Sequence, residues 1–401
     1  MTKPLRRTRG DLIATAVIAA IAVVLLAIAY FTAPIRAADL QSAPEELENE
    51  GRLATAPTKL EELFRLPDHS PELQPVVVNG LIITYYNGTV TATTSSGETA
   101  WTYHRPNELC VLGQAWGKVV AAYKDNAGCG DVVAIEALTG KYAGTRSAIA
   151  PTDVTSVVSN DRVGYVSSTR AELWRSDMVR TVEYGAVEAP QEPDMQPNQC
   201  QITSALTRTE LFAVTEICAD GAYLRLQNAT PEDSRKPEIY SSQEIAENAY
   251  LVAVSQDAAA VYDPDTHEIR AYDKEGNQLS ASTVPALESP LTIDGSTHML
   301  PVADLPHHMT YFEDDYLVLM EPAKLTATGV FQGALGTGFA AGDRLLYASS
   351  GGVAVVDWDS NTVEDIIPVD RGDYVGPVFI NSAGATVVEK RGDEVVVLAA
   401  S

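Results

Sequence analysis

The chain has 401 residues, of which 28 are basic and 54 acidic, giving a net charge of −26. Such a surface repels a polyanion, so nucleic acid is not expected as a partner, and the acidic residues serve first to keep a large domain soluble. The length exceeds what one hydrophobic core usually supports, so repeated units that pack only on their neighbours are expected.

Lys3, Arg6, Arg7 and Arg9 precede an apolar run from Leu12 to Ala33. As a helix of roughly 33 Å it would cross a hydrocarbon core of about 30 Å. The run is longer than the apolar core of a secretory signal, and Arg36 interrupts the small-residue site at Ala37-Ala38. An uncleaved anchor is therefore expected, with residues 1–10 cytoplasmic, 11–34 in the membrane and the rest outside. Residues 35–58 are rich in Ala, Glu and Pro, with only Leu40, Leu47 and Leu53 as larger apolar residues after Arg36. They read as a stalk holding the domain away from the bilayer.

Four cysteines form two pairs of similar span, Cys110 with Cys129 and Cys200 with Cys218. Neither pair has the C-x-x-C spacing of a zinc site, and disulfides suit an exported domain. Cys200 and Cys218 lie symmetrically about Thr209, as a bridge across two neighbouring strands would. Each bridge would close a loop of about 20 residues and contribute on the order of 3 kcal/mol.

From residue 59 onward the sequence is β-rich. Thr91–Trp101 reads T-A-T-T-S-S-G-E-T-A-W, a strand, a polar turn and the opening of a second strand. Weaker copies lie at Ala134–Gly144, Ala271–Ser280 and Val355–Asp365. Their marker residues Thr93, Glu136, Asp273 and Asp357 are separated by close to one, three and two periods of about 42–46 residues, the length of a propeller blade. Gly97, Gly140, Gly276 and Trp101 complete the candidate docking positions.

Eight apolar hairpin starts can be placed along the chain: Pro75–Thr84, Leu109–Tyr123, Val154–Ser167, Cys200–Cys218, Tyr250–Tyr262, Met309–Met320, Gly338–Ser349 and Pro377–Lys390. The fold expected is all-β, an eight-bladed propeller spanning 59–401. Seven blades is the alternative, because the sixth unit is short and irregular. The last unit has three strands, ending in Glu394–Leu398. Its fourth is expected from Leu60–Leu66, with Phe64 in the place of Trp101, which would close the ring and remove its open edges.

The copies resemble the tryptophan-docking motif of the PQQ-type propellers, A-x-D-x-x-T-G-x-x-x-W. The whole chain is similar to a family of actinobacterial, membrane-anchored, PQQ-like propellers to which no chemistry is attached. That likeness extends to the basic N-terminus, the anchor, both cysteine pairs and the stretch Glu172–Gly185. The resemblance implies an all-β ring in which strand and turn lock adjacent blades. The quinoprotein dehydrogenases of the wider group share an adjacent Cys-Cys pair, a tryptophan beneath the cofactor and a Glu/Asn/Asp calcium site. This chain has no Cys-Cys. An outer-membrane assembly lipoprotein with the same fold is a scaffold without catalysis, an analogy of fold alone.

No catalytic residue, metal site or cofactor is expected. There is no G-x-S-x-G elbow for a serine nucleophile and no D-x-D-x-D-G calcium loop. His298, His307 and His308 lie in a long Pro-rich connection, Ala286–His308, and a second connection, Ala186–Gln199, carries Glu188, Glu192, Asp194 and Met195. Both join one blade to the next, so both should open on one face as partner-binding loops. The function expected is a protein-binding scaffold in the cell envelope, serving assembly, growth or division through envelope or membrane proteins. Two alternatives stand beside it. One is a receptor recruiting a cytoplasmic partner through Met1–Gly10. The other is a ligand sensor or enzyme using the central channel.

Overall fold

The computed structural model describes residues 8–401, apart from 188–189, 191, 194 and 197–199. Lys3, Arg6, Arg7, Glu188 and Asp194 therefore lie outside the described residues. A helix spans Arg9–Thr32, opened by Thr8, whose side chain accepts from the Asp11 amide while Asp11 accepts from the Thr8 amide. It is apolar on every side, and none of it is covered by the rest of the chain. Arg36 folds back over Tyr30, 4.4 Å from the ring centroid, at the helix's C-terminal end.

The remainder forms eight antiparallel sheets. Blade one comprises Val76–Val78, Leu81–Tyr86, Thr89–Thr93 and Thr99–His104, and blade two runs from Leu109–Ala115 to Tyr142–Ser147. Blades three to seven repeat the order through Thr155–Gly185, Gln201–Ile245, Tyr250–Thr283, Val302–Gln332 and Phe339–Pro368. Blade eight takes Val378–Ala383, Thr386–Arg391 and Glu394–Ala400 from the end of the chain, and Leu60–Pro67 pairs antiparallel along the last of these. The chain is thus an eight-bladed β-propeller with one apolar N-terminal helix.

Strand composition explains the layering. Inner strands such as Leu211–Cys218 and Ala258–Asp263 are covered on both sides and read as apolar runs. Outer strands such as Gln278–Thr283 alternate, and Thr362–Pro368 is exposed almost throughout. The cores lie between blades. One joins Leu211 and Leu224 of blade four to Tyr250 and Val261 of blade five and Met309 and Val318 of blade six.

Two corrections to the sequence reading emerge. The innermost strand of blade six is Val302–Asp304, inside the connection that the sequence suggested was a free loop, and Met309–Met320 contains the second and third strands. Residues 39–58 are not a free stalk. Asp39–Gln41 adds a fifth strand to the outer edge of blade one, pairing with Thr102–His104. The Ala43 and Leu47 amides then donate to Thr139 and Leu138 in a turn of blade two. The Ser95 hydroxyl bonds Glu50, and the Leu53 amide bonds Ser382 of blade eight. The segment is a strap across the ring.

Because strands alternate in direction, the ring has two distinguishable faces. One, the connection face, carries the blade-to-blade connections and the second-to-third strand turns. The other, the turn face, carries the remaining turns and the strap. Asp39 pairs with His104, the end of the outer strand of blade one on the connection face. The helix therefore joins the ring from that side, with only residues 33–38 between.

Candidate functional site

The docking positions make contacts between neighbouring blades at several joints of the ring. Trp101 of blade one is buried, and its indole N–H donates to the Ala137 carbonyl in a turn of blade two at 2.7 Å. Gly140 in that turn has φ +63, and a Cβ there would meet the Trp101 ring at 2.6 Å. Gly97, with φ +92, occupies the equivalent turn of blade one, and Phe64 from the closing strand lies against it. At the next joint the sizes are reversed. Met178, with φ +64, projects from the turn of blade three and packs on Gly144 of blade two. Gly276 of blade five faces Gln243 of blade four. Leu325 and Asn361 hold positive φ at the corresponding turns of blades six and seven.

The marker residues stabilise these turns in different ways. Asp273 accepts from the Asn277 side-chain amide at 3.0 Å and its backbone amide at 2.7 Å, and Asp357 accepts from the Ser360 backbone amide at 2.9 Å. These bonds hold both carboxyls below the usual carboxylate range. Glu136 pairs with Lys118, and Thr93 is buried. All of this is packing and turn chemistry.

Cys110 is bonded to Cys129 and Cys200 to Cys218, with Cα separations of 6.0 and 4.5 Å. The second bridge staples neighbouring strands of blade four, and the first ties the first strand of blade two to its third. Glu216 lies beside Cys200 and Cys218, but the two sulfurs are bonded to each other and Glu216 accepts from Arg225 and Tyr184. The stretch Glu172–Gly185 feeds the same buried network. Trp174 and Arg170 donate to Glu172, Arg146 pairs with it from blade two, and Arg180 pairs with Glu183. Glu172, through Arg146, and Tyr184, through Glu216, tie blade three to blades two and four.

The three histidines do not come together. His298 precedes the first strand of blade six and lines the channel, hydrogen-bonded to Ser296 beside Asp294, which the Ser296 hydroxyl and amide hold at a pKa of about 2. His307 and His308 follow that strand, at the opposite end. Both pack on Trp358 of blade seven, with ring centroids 5.4 and 5.7 Å away. Burial lowers the pKa of His308, and neighbouring His307 lowers it further. A strand that runs from one face to the other separates the pair from His298, and the expectation of a single histidine face is corrected on that ground. In the other connection Met195 is buried and Glu192 exposed. Gln196 ties the connection down through the Gly185 amide and the Glu183 and Arg235 carbonyls.

The central channel holds a feature that motif searching missed. Two segments fold over it from the connection face. Leu73 donates its amide to the Met299 sulfur, and Gln74 bonds the Val302 carbonyl and Thr337. Thr297 meets Thr155 of blade three, and Gln201 of blade four bonds the Gly295 carbonyl. Beneath them is a cavity of about 240 Å³, lined by the innermost strands. Glu72 reaches down into it. Its carboxylate accepts from Ser156 of blade three at 2.7 Å and from the Leu112 amide of blade two at 3.0 Å. Burial nevertheless raises its pKa to about 6. Arg52 of the strap lines the same cavity on the turn-face side. Neither residue belongs to any sequence motif. Only a polar residue aimed inward by the fold marks the place.

No protein-family model matches the sequence, and no curated protein does. Solved structures do. The dihydro-heme d1 dehydrogenase NirN, determined in complex with DHE, is similar with a TM-score of 0.53 at 12% identity, over 89% of this chain and 78% of that one. BamB from Moraxella catarrhalis aligns with a TM-score of 0.49 at 12% identity, over 85% of this chain and 99% of that one. At this identity the likeness is one of fold, the β-propeller, and carries no chemistry with it.

Proposed function

We propose that the protein is a single-pass envelope protein, N-terminus inside, whose extracytoplasmic propeller is a scaffold for other envelope or membrane proteins. The observation that carries this reading is the strap. A ring joined to an apolar helix by residues 33–38, and bound by residues 39–58, is held close to the bilayer in a restricted orientation. Restricted placement serves a scaffold, which must present the same surface repeatedly. The two disulfides agree with an oxidising compartment outside the cytoplasm. The basic residues before the helix favour the N-in orientation.

The surface assigned to partners is the connection face, on the side where the helix joins the ring. Glu192, in the Ala186–Gln199 connection on that face, is exposed to solvent. Crosslinking in intact cells followed by affinity recovery of the full chain tests the reading. Specific envelope proteins should be recovered, and replacing 187–195 by a short Gly/Ser turn should reduce their yield without unfolding the ring. Recovery of the same proteins in undiminished yield would refute the assignment of this face. Recovery of cytoplasmic proteins through Met1–Gly10 would favour the receptor reading instead.

A further inference from the structure

The two disulfides stand in different surroundings. Cys110 and Cys129 are both buried, in an apolar core that includes Val111, Val132 and Trp174. The Thr152 carbonyl oxygen lies 3.6 Å from Cys129 Sγ, and an oxygen there offers a thiolate no stabilisation. Cys200 and Cys218 are each only partly buried. Both lie at the connection-face end of blade four: Cys200 precedes Gln201, which pairs with Ile217, and Cys218 pairs with Gly221. An incoming thiol therefore reaches this bridge without opening a core, whereas the first bridge is reached only when blade two opens.

Chemistry also distinguishes the two sulfurs of the second bridge. Arg225, on the third strand of blade four, is held by Glu216, to which Nε donates at 2.7 Å, and by Ser242 at 2.7 Å. Its remaining terminal nitrogen donates to Cys218 Sγ at 3.8 Å. Glu216 stands 3.6 Å from the same sulfur, but its two carboxylate oxygens accept from Arg225 and from Tyr184. Among the described residues no cation donates to Cys200 Sγ, although Glu216 lies beside it as well. An electron pair released on Cys218 thus meets a held guanidinium, and one released on Cys200 does not. In thiol–disulfide exchange the better leaving sulfur decides which of the two is attacked.

We propose that Cys200–Cys218 is an exchange site for small thiols, whereas Cys110–Cys129 is a permanent staple. A thiolate attacks Cys200 Sγ and forms a new S–S bond with it. The Cys200–Cys218 bond breaks, and its electron pair goes to Cys218 Sγ, facing Arg225. The incoming thiol is oxidised to the disulfide level and Cys218 is reduced, so no other oxidant or reductant is consumed. Attack of the Cys218 thiolate on Cys200 Sγ expels the small thiol and restores the bridge. The site adjoins the channel, because Gln201, the next residue, bonds the Gly295 carbonyl in the segment folded over the cavity. The inference is independent of the scaffold reading and needs no protein partner.

The test uses the oxidised full chain in detergent micelles, with 2-mercaptoethanol as the thiol at concentrations that leave the ring folded. Acid quenching and peptide mapping give the rate at which each bridge is lost and the position of the mixed disulfide. Loss of Cys200–Cys218 should be at least tenfold faster than loss of Cys110–Cys129, with the adduct on Cys200 and the free thiol on Cys218. Arg225→Gln should slow that exchange at least fivefold, and Arg225→Lys should restore part of the rate. A purely structural role for Arg225 gives the opposite sign, because a loosened blade exposes the bridge and speeds its exchange. Equal rates at the two bridges, an adduct chiefly on Cys218, or unchanged or faster exchange in a folded Arg225→Gln protein would each overturn the proposal. Should that variant fail to fold, the wild-type rate ratio and adduct position still decide.

Discussion

Single residues decide how blades join. At Trp101 a buried indole spends its one donor on the Ala137 carbonyl and covers Gly140. Trp101→Ala should cost about 3–5 kcal/mol through the lost burial and the cavity left behind. Gly140→Val should also destabilise, because it adds a β-branched side chain at φ +63 where the indole leaves no room. Chemical denaturation of each variant checks both. Gly97, Gly140 and Gly276 were legible in the sequence because a glycine advertises a positive φ. Met178, Leu325 and Asn361 were not, since their side chains disguise the same backbone state. The repeat is more regular in conformation than in letters.

Glu313 gives a second residue-scale prediction, in pH. Burial raises its pKa to about 7, against bonds from Tyr250 and the Leu291 amide that pull it down, while Asp314 adds to the rise. A carboxyl whose pKa is higher when folded binds its proton more tightly in the native state. Its contribution is fully present below the unfolded value of about 4.5 and is lost as pH rises through about 7. Glu313→Gln should therefore flatten the fall in melting temperature across that interval. A parallel pH profile for wild type and variant would contradict the assignment.

At the scale of elements, the eight-blade count was legible because eight apolar hairpin starts could be placed along the chain and the turn copies kept a blade-length period. What failed was local. Val302–Asp304 has three residues between Pro301 and Pro306, too short for alternation to register. The strap was misread because its pairing is mostly backbone hydrogen bonding, which composition does not reveal. Its signal was the three isolated leucines. Leu40 and Leu47 pack against the core shared by blades one and two, and Leu53 packs against that of blades seven and eight. Two truncations separate these contributions. Starting the chain at Thr58 should lower the melting temperature relative to a start at Asp39, through loss of the strap. Starting at Val76 should lower it much further, because Glu394–Ala400 then exposes an unpaired edge and Gly97 loses Phe64. Equal melting of all three would show that neither segment supports the ring.

For the whole molecule, the main consequence of the strap is distance. Six residues, four of them in a tight 3-10 turn, separate the helix end from the first strand. At about 2 Å per residue that turn spans only about 8 Å, so under the anchored reading proposed above the rim of blade one would lie near the bilayer surface. A free stalk of the same composition would have allowed the ring to sample a shell many times deeper. Inserting a 20-residue Gly/Ser linker between Ala38 and Asp39 tests whether this restriction matters. Every strand pair and the strap stay intact, so the melting temperature of the ring should not change. The effective concentration of the connection face at a membrane-bound partner should fall as the sampled volume grows. Crosslinking yield to such a partner should drop with linker length while a soluble partner would be captured equally well. A yield independent of linker length would mean that the ring works away from the membrane, and the anchor would then be only a tether.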